Sequence, residues 1–236
     1  MPQRRSKRKK MSDKNESKFM KNLKRIAVIS IILMVVVSLT SLFKINIGGE
    51  TVNLAPITLI VGIVAFFVTR KTNENINEGL NIKTIFSSLK DKKVIFLVLM
   101  PVIMNVICFL IATIFVPEFI EHLKSRTDFL AKSRIPILII ELMISALGEE
   151  IAWRAFFQKQ VSKVLPFIPS LIISSALFSL CHFSEGSFIV ILYDLLFILI
   201  NAIFYGIVFK KTDNAYISAI AHFIANLFGT IAIMFL

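Results

Sequence analysis

The sequence predicts an all-α protein, a polytopic transmembrane helix bundle of about seven spans, on three observations. Apolar residues make up 56% of the 236 residues, above the roughly 45–50% of a soluble domain. Charged residues are only 18%, and they cluster between apolar runs long enough to cross about 30 Å of hydrocarbon. The basic residues are also unevenly placed between alternate loops, as the positive-inside rule requires.

Residues 1–25 are polar and basic, with Arg4-Arg5-Ser6-Lys7-Arg8-Lys9-Lys10 at their head. Nothing in this arm can build a core, so it is expected to be disordered and to hold the first span's N-terminus in the cytoplasm. Anionic lipid headgroups are a further partner for it. The net charge of +12 is accounted for by this topology, so no nucleic-acid partner is expected. The first apolar run is too long for a signal-peptide core and no small-residue cleavage site follows it.

The spans are placed at Ile26–Phe43, Thr51–Thr69, Val94–Val116, Ile135–Trp153, Phe167–Phe183, Phe188–Phe209 and Ala215–Leu236. Pro56 and Pro169 interrupt the second and fifth near one end. A short surface helix is expected at Ile82–Leu89. Of the 27 Lys and Arg residues, only Lys44, Lys124, Arg126, Lys132 and Arg134 fall in outer segments when the N-terminus is inside. Cys108 and Cys181 lie within apolar runs and read as small core residues, with no disulfide or CxxC site. Residues 26–134 carry no diagnostic motif, whereas 135–236 carry all of those that follow.

The fourth span ends in Leu147-Gly148-Glu149-Glu150-Ile151-Ala152-Trp153-Arg154. An ionisable side chain at a membrane helix centre costs roughly 2.5–3.5 kcal/mol and marks a functional site. Glu150 and Arg154 are four residues apart and share a face, so they pair. Glu149 points about 100° away and is left free for chemistry, although an ion-pair network at the end of the span explains both acids as well. The fifth span carries Phe178-x-x-x-His182 and the seventh His222-x-x-x-Asn226. Together these residues supply a base, a second proton-handling group and donors for an oxyanion. Glu141, Asp194, Asn105 and Asn201 are read as interfacial or interhelical hydrogen-bonding residues, and His122 as a solvated loop residue.

Glu149-Glu150-x-x-x-Arg154, Phe178-x-x-x-His182 and His222-x-x-x-Asn226, in this order and each on an apolar span, resemble the three motifs of the CPBP intramembrane proteases. This is the family of CAAX prenyl proteases and bacteriocin-processing enzymes, also called Abi, and bacteriocin immunity is among its associated roles. The resemblance covers about Ile135 to Leu236. It implies a bundle protein of the bacterial plasma membrane that hydrolyses a peptide bond of a membrane-associated protein or peptide. Glu149 would activate water together with His182, His222 and Asn226 would stabilise the oxyanion, and Glu150, Arg154 and Phe178 would support them. The family is often called a metalloprotease. The sequence has no HExxH, but Glu149, His182 and His222 can assemble a Zn²⁺ site from three helices.

Two other classes use the same residues: a non-catalytic immunity or signalling scaffold that binds a peptide, and a proton-coupled transporter. Transporters often carry internal repeats, and none is seen. One conflict follows from the assigned ends. Glu149 falls near the inner end of its span and His182 near the outer end of its own. They meet only if the fourth helix extends inward past Arg154, or if Phe183–Ser187 dips into the protein. Because Glu149 lies near that inner end, the cavity is expected to open toward the cytoplasmic half.

Overall fold

The computed structural model describes residues 25, 27–39, 44–47, 50–53, 55–71, 79–131 and 135–235. The basic arm up to residue 24 lies outside the described residues.

The first apolar run forms α1 (Ala27–Leu39). It is followed by an antiparallel hairpin of β1 (Lys44–Ile47) and β2 (Glu50–Asn53), with Lys44 opposite Asn53 and Ile47 opposite Glu50. The second span therefore begins later than Thr51. The β-branched pair Thr51-Val52 suits a strand, and α2 (Ala55–Lys71) starts where Pro56 is tolerated, in the first turn. Among the described residues the fold is otherwise helical.

The expected surface helix is a 3₁₀ turn, Ile82–Thr84, running into α3 (Ile85–Ser88), with Ile82 and Phe86 exposed. Next comes α4 (Lys92–Phe115), whose N-cap Asp91 accepts from the Lys93 amide at 2.8 Å. The segment after it is not the loop expected from its polarity. It forms α5 (Glu118–Ala131), with Glu118 and Glu121 in the first turn, where the helix dipole favours acids. Phe119 and Ile120 of α5 are buried.

The fourth span is α6 (Ile135–Glu150), which continues without a break into a π-helical stretch, Ile151–Gln158, and then α7 (Lys159–Ser162). The helix thus extends well past Arg154. All eight residues of the π stretch are buried. They form the centre of the largest core cluster, with Met34, Phe66, Phe178 and Phe209 around Ala152, Phe156 and Phe157. At Gly62 of α2, a β-carbon would stand 2.6 Å from Ala152 Cβ, so a glycine is needed for the close approach.

The chain ends in α8 (Phe167–Leu180), α9 (Phe188–Thr212) and α10 (Ala215–Phe235). The turn between α9 and α10 is locked: Asp213 adopts a left-handed φ of 45°, and buried Asn214 donates to Asn81 O at 2.7 Å and Thr84 Oγ1 at 3.0 Å. Here α10 packs on α6, α4 and α9, while α8 packs on α9 and the π stretch. Among the described residues, α4, α9 and α10 are long and apolar enough to cross a membrane; α1, Pro56–Arg70 and α8 are shorter apolar helices. Cys108 and Cys181 are both buried.

Candidate active site

The last turn of α6 presents both carboxylates. Ser145, one turn earlier, donates to Glu149 Oε1 at 2.9 Å. The other oxygen, Oε2, lies 3.9 Å from His182 Nε2 and 3.9 Å from His222 Nε2. It is buried and has no hydrogen-bond partner among the described residues. The depth conflict is resolved by helix length. Because α6 runs on through the π stretch, Glu149 lies inside the bundle, level with the end of the short α8 from which His182 projects.

Each ring is oriented through its other nitrogen. His182 Nδ1 is 2.9 Å from Phe178 O. A carbonyl only accepts, so Nδ1 carries the hydrogen and the neutral ring turns its Nε2 lone pair toward Glu149. His222 Nδ1 is 3.1 Å from Glu150 Oε1, and that carboxylate also accepts. Glu150 was expected to engage Arg154 rather than the histidines. It does both: Arg154 Nε is 3.3 Å from Glu150 Oε2, with both side chains fully buried. A carboxylate has two oxygens, so one helix residue serves two partners.

Phe178 ties these groups together. The Arg154 guanidinium lies over its ring at 4.9 Å, and its ring centroid is 4.6 Å from that of His182 and 5.9 Å from that of His222. Tyr205 of α9 stacks on His222 at 4.4 Å with 17° between the planes. The sequence reading missed Tyr205. Its only signal was an aromatic hydroxyl four residues after Asn201 in an apolar helix.

Glu149, Phe178, His182, His222 and Asn226 line one cavity of about 270 Å³. It extends from the carboxylate layer toward α5, where Phe119 and Leu123 contribute to its wall. Asp194 of its lining stands near the start of α9, away from Lys210 and Lys211 at the other end of that helix.

Residues left out of the site by sequence reasoning also reach it. Asn201 Nδ2 donates to Asn105 Oδ1 at 2.7 Å, and Asn105 Nδ2 to Ala225 O at 2.9 Å, joining α9, α4 and α10 beside the cavity. Asp194 is buried and lines it, rather than reaching interfacial water. His122 is not solvated: it sits on α5 with a 9% exposed side chain, 3.1 Å from Ser184 Oγ and 3.8 Å from Asp194 Oδ2.

A zinc site would need ligand atoms at about 2.0–2.2 Å from one ion. Among the described residues no group of three or more His, Cys, Asp or Glu is arranged to hold a metal ion. Glu149, His182 and His222, expected as ligands, are not arranged as such a group.

Residues 131–228 match the family model described as Rce1-like, type II CAAX prenyl endopeptidase Rce1-like, consistent with the CPBP family. No curated protein and no solved structure matches. Over residues 131–228 the chain is similar to this family, and the match together with the apolar helices indicates an integral membrane protein.

Proposed function

We propose, from the Rce1-like match of residues 131–228, that the chain is an intramembrane endopeptidase that hydrolyses a peptide bond of a membrane-associated protein or peptide. The observation that carries this reading is Glu149 Oε2, equidistant at 3.9 Å from two histidine nitrogens whose opposite nitrogens are tied elsewhere. A water seated there can hydrogen-bond to Glu149 and His182, since each step needs about 2.6–3.2 Å.

Glu149 takes the proton of that water as the oxygen attacks the scissile carbonyl. The tetrahedral oxyanion then accepts from Asn226 Nδ2 and from His222 Nε2, the latter as a ring protonated on both nitrogens and held by Glu150. Glu149 returns the proton to the departing amine, the carbon–nitrogen bond breaks, and acid and amine leave. Glu150 has Arg154 on its second oxygen, so it carries one positive neighbour on each side when His222 is protonated. No step passes through a metal, because the three groups do not form a cage for one.

The same reading takes seven spans with the N-terminus in the cytoplasm of a bacterial plasma membrane, on the strength of the loop charges. The cavity then faces the outer half. Residues 135–236 form the protease core, with α4 supplying Asn105 to its wall. Purified protein in liposomes, incubated with quenched fluorescent peptides of membrane-anchored sequence, tests the function. Cleavage that is lost in Glu149→Gln supports it, and equal cleavage by both proteins refutes it.

A further inference from the structure

Asn105 of α4, Asn201 of α9 and Asn226 of α10 border the cavity. The first two form a hydrogen-bonded chain whose direction is fixed. Ala225 O can only accept, so Asn105 turns Nδ2 to it, at 2.9 Å. That leaves Asn105 Oδ1 to face Asn201, which must then donate through its own Nδ2, at 2.7 Å. Asn201 Oδ1 is the end of this chain. Among the described residues it is buried without a hydrogen-bond partner.

A buried acceptor left unpaired is costly, and in a native structure it calls for an explanation. Flipping the Asn201 amide gives no relief, because Oδ1 would then face Asn105 Oδ1, and both only accept. A donor is what completes the chain. The substrate brings donors. A peptide bond open to attack belongs to an extended segment whose amides have left their helical partners, and hydrocarbon supplies no others.

Resting on the protease reading above, we propose that Asn201 is a substrate-binding residue whose Oδ1 accepts a backbone N–H of the peptide. Asn201 as a whole is half-buried and borders the cavity, so a turn of its side chain presents this oxygen to a peptide. The position of the N–H follows from the fold. Tyr205 stacks on His222 and so marks the catalytic layer. Asn201 precedes Tyr205 by one turn, about 6 Å at 1.5 Å per residue. An extended peptide covers that distance in about two residues, at roughly 3.3–3.6 Å each. The N–H that Asn201 reads is therefore about two residues from the scissile bond. Because the contact is to backbone, it holds the segment extended whatever its side chains are.

The test uses full-length protein in detergent micelles and fluorescein-labelled Leu/Ala peptides in which one backbone N–H at a time is replaced by an ester oxygen. Binding is measured by anisotropy on the Glu149→Gln protein. Cleavage is measured on the unsubstituted protein with the all-amide parent, and mass spectrometry locates the cut. The expected result is a loss of affinity of at least about fivefold for the ester at one position, about two residues from the cleaved bond. Asn201→Ala, introduced beside Glu149→Gln, brings that ester-to-amide ratio to within twofold; Asn201→Leu does the same and serves where the alanine protein does not accumulate. Asn201→Asp keeps an accepting oxygen and so keeps the penalty, although it too loses the bond to Asn105.

An ester penalty that Asn201→Ala and Asn201→Leu leave unchanged overturns the proposal, as does a series in which no position loses affinity, or absence of binding by every peptide. The aspartate variant separates recognition from a mere tie between α4 and α9. Equal losses of melting temperature in the alanine and aspartate variants, with the same ester-to-amide ratio in both, also overturn it. An Asn201-dependent penalty without cleavage supports the backbone-binding site and refutes the protease reading; cleavage with a flat ester series does the reverse.

Discussion

Glu150 Oε1 lies 3.1 Å from His222 Nδ1, and Glu150 Oε2 lies 3.3 Å from Arg154 Nε. One buried carboxylate therefore sets both the ring that faces Glu149 and the cation beneath Phe178. Removing its charge orphans Arg154, whose Nη1 and Nη2 already have no hydrogen-bond partner among the described residues. Breaking a buried pair costs about 3–5 kcal/mol, and losing one oxyanion donor about 10²–10³ in rate. Glu150→Gln is expected to lower both the melting temperature in detergent and the turnover. Adding Arg154→Gln should recover most of the stability and none of the turnover; recovery of both would remove His222 from Glu150's role.

Glu149→Gln should behave differently. The amide oxygen can keep the bond from Ser145, so the fold should be retained. Loss of the base should reduce cleavage by about 10²–10⁴. Single-turnover rates set beside thermal melts check this. A variant that melts early would make Glu149 a structural residue.

Tyr205 contributes a face rather than a hydroxyl to His222. Tyr205→Phe should retain activity within about threefold and Tyr205→Leu should lose it, since an aromatic pair is worth about 0.5–1.5 kcal/mol beyond its buried area. Equal activity in Phe and Leu variants would show that the stacking has no part in the reaction.

Gly206 is required for packing. A β-carbon there would collide with Leu171 Cδ1 and stand 2.6 Å from Gln158 Oε1, and Gln158 Nε2 donates to Gly206 O at 3.1 Å. Gly206→Ala should destabilise by about 1–3 kcal/mol through overpacking, read as a lower midpoint in mixed-micelle denaturation. An unchanged midpoint would mean that α8 and α9 separate easily.

The convergence of Glu149, His182, His222 and Asn226 was legible because a polar residue in an apolar run is conspicuous and four-residue spacing fixes a shared face. What each residue touches was not legible. Apolar residues surround α8 and α9 on all sides, so their inward faces carry no periodic signal, and Tyr205 looked like any other aromatic. The polar composition of α5 hid a helix whose buried anchors, among the described residues, are Phe119 and Ile120. Its His122 is partly covered by α9 and the Ser184 turn, which are distant in sequence. The depth conflict arose because hydropathy ends a span at the first cluster of charges, whereas here that cluster sits on a helix that continues inside protein.

The partners of the two acids also bear on biosynthesis. Chains emerge N-terminus first, so α6 reaches the bilayer before α8 and α10 exist. Ser145 and Arg154 are each four residues from their glutamate, on the same continuous helix. The helix thus carries its own counter-charge and its own hydrogen-bond donor while it waits. His222, 72 residues beyond Glu150, arrives only with α10. A nascent chain can hold both carboxylates without help from later helices and has no complete site until α10 has been made.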